Sequence, residues 1–211
     1  MTLESIIQSI NDEFSAKAAI RDSTLARSRE LIKFCANAIR ATHRREPEIA
    51  DSLLRQADEI AAKMIADAKA YPDIYFAGYT QDALKELSEA HLTRALILAS
   101  PLPSPQSLGV ESAAYVNGLA ETVGELRRYA LDSLRRGDVA ASESMLDLMD
   151  EIYTLLITID FPSAITRDLR RKTDVARSIL ERTRGDVTTA IRQEEMKTAM
   201  TAFEERVRSL D

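Results

Sequence analysis

Six glycines and six prolines are all that interrupt the 211 residues of this chain, and most gather at Pro47, Pro72 to Gly78, Pro101 to Gly109, Gly137, Pro162 and Gly185. The long runs between these points are rich in Ala, Leu, Glu, Arg and Lys, residues that lose little on entering a helix. None shows the period-two alternation of β-branched and aromatic residues that marks a strand. The pattern predicts an all-α fold of seven helical segments in a single domain, residues 1–211, with Gly118 and Gly124 the only glycines inside a helix.

The first segment, about residues 2–44, sets Ile6, Ile10, Phe14, Ile20, Leu25, Leu31, Cys35, Ala38 and Ile39 near helical spacing, with an irregularity expected at Arg21 to Thr24. It is long enough to run the length of a bundle and offer a stripe to a second subunit. Pro47 suits the first turn of the next segment, whose stripe includes Leu54, Ala57, Ala61, Met64 and Ala68. Tyr71, Tyr75, Phe76 and Tyr79 crowd round the following loop; sealing the end of a core is the favoured role, and a base-stacking platform is the alternative. After Gly137, the run from Met145 to Ile159 is apolar nearly all round at its far end, as a central helix would be. The last segment, Val187 to Leu210, carries a thin stripe of Ile191, Met196, Met200, Phe203 and Val207.

Apolar residues make up 45% of the chain, enough for a sizeable core without disulfide staples. The single cysteine, Cys35, excludes an intrachain disulfide and fits a reducing cytoplasm. No apolar run approaches the ~18 residues of a membrane span, and the start lacks the basic-then-apolar pattern of a signal peptide. A soluble cytoplasmic protein, away from membranes, is expected. The net charge of -6 argues against an all-over basic coat for nucleic acid, while leaving room for a local basic patch.

Two pairs of glutamates stand out. Glu86 and Glu89, in Leu84-Lys85-Glu86-Leu87-Ser88-Glu89-Ala90, are three apart; Glu121 and Glu125, in Glu121-Thr122-Val123-Gly124-Glu125-Leu126-Arg127-Arg128, are four apart. Either spacing puts both carboxylates on one helix face, where like charges cost a few tenths of a kcal/mol unless a cation lies between them. Each pair points away from its own helix's apolar stripe, Leu84, Leu87, His91, Ala95 and Leu98 in one case and Val116, Leu119, Val123, Leu126, Ala130 and Leu134 in the other. Spacing alone favours an ordinary solvated face over a metal site. Gly118 and Gly124 pull the other way, because each costs a helix roughly 1 kcal/mol relative to Ala and bares backbone that a substrate or another helix can approach. The stiff connection from Pro101 to Gly109 favours antiparallel glutamate helices, with the two pairs at similar height.

Basic residues concentrate at Arg167, Arg170, Arg171, Lys172 and Arg177. Solvated helix faces are the usual role of such runs. Together with Arg127, Arg128, Arg135, Arg136 and His43-Arg44-Arg45, they offer a phosphate-binding patch as the alternative.

Three of these stretches together resemble the translin family, which comprises translin and its partner, translin-associated factor X. The run from Tyr115 to Arg128 is similar to the Gly-Glu-Leu-x-Arg element of the partner, and Leu84 to Ala90 to its Leu-x-Glu-x-x-Glu-Ala element. Leu169-Arg170-Arg171-Lys172-Thr173-Asp174 resembles the Leu-Arg-Arg-Lys-x-Asp of translin itself. The resemblance implies a seven-helix fold assembled into a hollow homo-oligomer, a hexamer or octamer, in which acidic residues bind Mg2+ or Mn2+ and cut single-stranded RNA. It assigns the metal and the chemistry to Glu86, Glu89, Glu121 and Glu125, with Glu121 standing where the partner has Asp. It also turns the outward direction of the acids into an argument for a site, since acids facing away from each core would face a shared cavity. Arg127, Arg128, Arg170 and Arg171 become the candidates for contact with RNA phosphates. Two alternatives stay open: a non-catalytic protein that binds single-stranded RNA or DNA, and an all-α nucleotide pyrophosphatase. The pyrophosphatase is disfavoured because its second acidic pair is usually spaced by three residues.

Overall fold

The computed structural model describes residues 2–209. Among these residues there is no strand, and the helices are α1 (Leu3–His43), α2 (Pro47–Ala68), α3 (Pro72–Tyr75), α4 (Gly78–Ile97), α5 (Pro105–Leu108), α6 (Ser112–Arg135), α7 (Val139–Leu156), α8 (Ser163–Thr166) and α9 (Leu169–Arg208). The all-α expectation holds, but the division into segments differs in three ways. Each proline-containing loop winds a single extra turn, giving α3, α5 and α8. No irregularity interrupts α1 between Arg21 and Thr24. Gly185 does not end a helix: α9 runs straight through it, because one glycine removes no backbone donor and costs only about 1 kcal/mol. Leu210, the expected end of the last segment, lies outside the described residues. The chain falls into two compact units, residues 1–119 and 120–211, with the boundary inside α6.

In the first unit, α1 begins on a capping box: the Ser5 amide donates to Thr2 Oγ1 at 3.3 Å, and the Thr2 amide donates to Ser5 Oγ at 3.1 Å. Leu31, Cys35, Ala38 and Ile39 of α1 pack with Leu54, Ala57, Ala61 and Met64 of α2 and with Ala83, Leu84, Leu87 and Ala90 of α4. Alanine at so many of these positions lets the helix backbones come close. Ion pairs join Arg27 to Asp67 and Arg94 to Asp51, and His91 reaches Asp58 at 2.8 Å, so polar groups edge the core in pairs. Of the aromatic loop residues, Tyr71, Tyr75 and Tyr79 are half-buried; the Tyr75 hydroxyl donates to Glu111 at 3.0 Å, and Tyr75 meets Phe76 edge-on with ring centroids 4.9 Å apart. Partial burial, followed by the Glu111 carboxylate, pushes the Tyr75 hydroxyl up to about 12. Phe76 alone among the four rings is exposed.

The helix with the broadest burial here is α4, in which Thr80, Gln81, Ser88, Glu89 and Thr93 are buried alongside its apolar residues. Its polar inner positions hid this from a hydrophobic count. Conversely, the far end of α7 is not the buried centre expected from its composition, because Leu155 and Ile157 are 55% and 53% exposed. Within the second unit, α7 instead buries Met145, Met149, Ile152 and Leu156, while α9 buries Leu169, Ala176, Leu180 and Val187. Asp138 caps α7 by accepting the Ala141 amide at 3.0 Å, and Gly137 ends the α6 turn at φ +78°, a left-handed conformation that suits glycine. None of the described helices is long and apolar enough to cross a membrane.

Candidate functional site

On α4, Glu86 is half-buried and Glu89 is buried, only 9% exposed. A solvated face was the expectation from spacing, and it fails for these two acids: small residues let the neighbouring chain close over them. A methyl group added at Gly118 would stand 2.7 Å from the Lys85 carbonyl oxygen, 2.9 Å from Ser88 Cβ and 3.0 Å from the Glu89 amide nitrogen. Only glycine fits the start of α6 this tightly against the α4 backbone that carries the acids. Asn117, its neighbour, is buried and donates to the Ala113 carbonyl at 2.7 Å. Lys85, whose side chain is 13% exposed, places its ammonium 2.9 Å from Glu86. The field of the acids reaches α1 as well: burial above all, then the charges of Glu86, Asp58 and Glu89, push the Cys35 thiol far above its ordinary range.

The Gly118 contact gives an expected result. Gly118→Ala should destabilise the fold by roughly 1–3 kcal/mol, since the overpacking outweighs the gain in helix propensity. Gly124→Ala, with nothing within 4 Å of the added carbon, should instead stabilise by up to about 1 kcal/mol. Urea titrations of the two variants check the opposite signs.

In the second unit, Glu121 and Glu125 are both half-buried on α6. Lys172 of α9, drawn from the basic run, sets its ammonium 3.0 Å from Glu121 and is itself mostly buried. Glu125 has Arg128 at 3.9 Å along the same helix. The four arginines singled out in the sequence separate by environment. Arg127 donates to Thr183 Oγ1 at 2.8 Å and pairs with Asp186 at 2.9 Å, which ties α6 to α9. Arg128 is half-exposed, Arg171 is exposed and reaches Asp168 at 3.2 Å, and Arg170 is exposed with no ion pair among the described residues. The other candidate patch is engaged locally, with His43 buried and Arg44 paired with Glu46 at 2.7 Å.

Glu86, Glu89 and Glu121 each offer a carboxylate oxygen that could serve a metal ion. The set is all carboxylate oxygen, which suits a hard cation such as Mg2+ or Mn2+ and not the softer metals that take His and Cys. That donor chemistry fits such an ion. Sequence reasoning missed the pairing of Lys85 with Glu86 and of Lys172 with Glu121, because a lysine beside an acid leaves no periodic signal. The only hint of Lys85 is its adjacency to Glu86.

A translin family model matches residues 23–184. An uncharacterized protein of Methanocaldococcus jannaschii is 31% identical over 178 residues, covering 83% of this chain and 78% of that protein. Among solved structures, AfC3PO bound to duplex RNA is 35% identical with a TM-score of 0.81, covering 87% of this chain and 95% of that one. NeC3PO in its apo form, at 22% identity and a TM-score of 0.81 over 90% of this chain and 98% of that one, is similar in fold.

Proposed function

Since the chain belongs to the translin family, we propose that it is a metal-dependent endoribonuclease acting on single-stranded RNA inside a hollow homo-oligomer, a hexamer or octamer, in the cytoplasm. Residues 1–211 are read as one translin-like domain. The observation that carries the proposal is the withdrawal of glutamates from bulk water, Glu89 buried and Glu86, Glu121 and Glu125 half-buried, in a family whose similar structures include an RNA complex. Glu86, Glu89 and Glu121 would hold Mg2+ or Mn2+. Bound there, such an ion supplies Lewis-acid charge for phosphodiester hydrolysis.

The protein's own residues do the remaining work. Glu125, on the same helix face as Glu121, accepts the proton of the attacking water. Lys85 offsets the charge of Glu86, and Lys172 that of Glu121, when no cation is bound. Arg128, Arg170 and Arg171 contact RNA phosphates, whereas Arg127 mainly secures α6 against α9.

Incubation with labelled single-stranded RNA, with and without Mn2+ and chelator, tests this reading. Cleavage that needs the metal and leaves nucleoside triphosphates intact is expected. Retention of RNA on a filter without any cleavage would leave the non-catalytic binding protein, and hydrolysis of triphosphates would restore the pyrophosphatase. Sedimentation should show a multiple of 23.5 kDa, and a stable monomer at micromolar concentration would remove the cavity.

A further inference from the structure

Beyond Val187, α9 continues to Arg208 without a single buried residue. This extension lies past the family match, which ends at residue 184. Met196, Met200, Phe203 and Val207 project from it at spacings of four, three and four, and they are 60%, 59%, 68% and 44% exposed. That is the heptad spacing of a coiled-coil seam. The opposite face of the same stretch, Ile191, Glu195, Thr198 and Ala202, lines a shallow cleft with Val139 and Glu143 at the start of α7, so the seam points away from its own unit.

We propose that the seam of α9 pairs antiparallel with the same seam of a second copy of this chain. Charge decides both partner and direction. In a two-fold antiparallel pairing, Met196 faces Val207 and Met200 faces Phe203 of the other copy, over about 17 Å of helix. Lys197 and Glu204 flank the seam on one side and fall beside each other twice, once at each end. Arg206, on the other flank, falls beside Ala199 and meets no like charge. A parallel pairing would set Arg192 against Lys197 and leave Glu204 beside Ala199, losing both attractions. Among the described residues, Lys197 pairs only with Glu194, through an exposed contact of 3.5 Å, and such contacts are weak. The inference does not depend on the nuclease reading.

Disulfide trapping on the full-length protein tests it. Met200→Cys and Phe203→Cys chains, co-expressed and oxidised, should give covalent dimer in several-fold excess over either variant alone. Cys35 stays silent, being fully buried with a thiol that resists ionisation. Adding Lys197→Glu to both chains should cut the yield several-fold, and adding Glu204→Lys as well should restore it. Equal trapping by Met200→Cys alone would show a parallel pair and overturn the proposal. So would a yield indifferent to Lys197→Glu, or no trapping in the mixture while circular dichroism shows the wild-type helix content.

Discussion

Glu125→Gln and Glu89→Gln should each remove most RNA cleavage, about a hundredfold or more, which corresponds to roughly 2.7 kcal/mol of lost transition-state stabilisation. Glutamine keeps the volume of glutamate and its capacity to hydrogen-bond, so the helices and the assembly should survive. What disappears is the negative charge that a hard cation or a departing proton requires. The two variants should stay within about 1 kcal/mol of the wild type in thermal melts without metal, because each also removes repulsion from the other acid on its helix. Glu121→Gln is different. It leaves the Lys172 ammonium, 15% exposed, facing a neutral amide, and should cost about 1–2 kcal/mol in the apo protein besides its loss of activity. Melts and cleavage on the same variants, with and without Mn2+, separate the roles. Full activity in both Glu125→Gln and Glu89→Gln, or a large apo destabilisation in both, would leave a translin-type binding protein.

Helical class was legible because it rests on local propensity and on the placement of prolines, both written in the chain. The acids were legible too, as two pairs at helical spacing, although only the family resemblance favoured a site over a solvated face. What escaped was long-range. The burial of α4 depends on Ala83, Ser88, Ala90 and Thr93, small residues that pack well without raising hydrophobicity. The meeting of Lys172 with Glu121 joins residues about fifty positions apart, and no spacing rule reaches that far. The exposed far end of α7 misled for the opposite reason: an apolar run reads as core whether or not its own chain covers it. Gly118 shows how a local oddity can carry tertiary meaning, since its cost in helix propensity is explained by the α4 backbone lying against it.

Charge reversal should split the four arginines. Arg127→Glu is expected to lower stability by roughly 2–4 kcal/mol, because it breaks a charge-assisted bond to Thr183 and sets a carboxylate against Asp186 in a partly buried place. Any loss of RNA binding in that variant should follow the loss of fold. Arg128→Glu, Arg170→Glu and Arg171→Glu should melt close to the wild type, since exposed pairs such as Arg171 with Asp168 contribute little. If these three contact phosphates, the triple variant should bind single-stranded RNA at least about tenfold more weakly at low salt. The slope of log affinity against log salt should also flatten by about 0.7 for each contact removed, roughly 2 in all, because fewer counterions are released on binding. Filter binding across a salt series reads both quantities. An unchanged slope in the triple variant would return these arginines to the role of solvated charges and place the RNA contacts elsewhere on the chain.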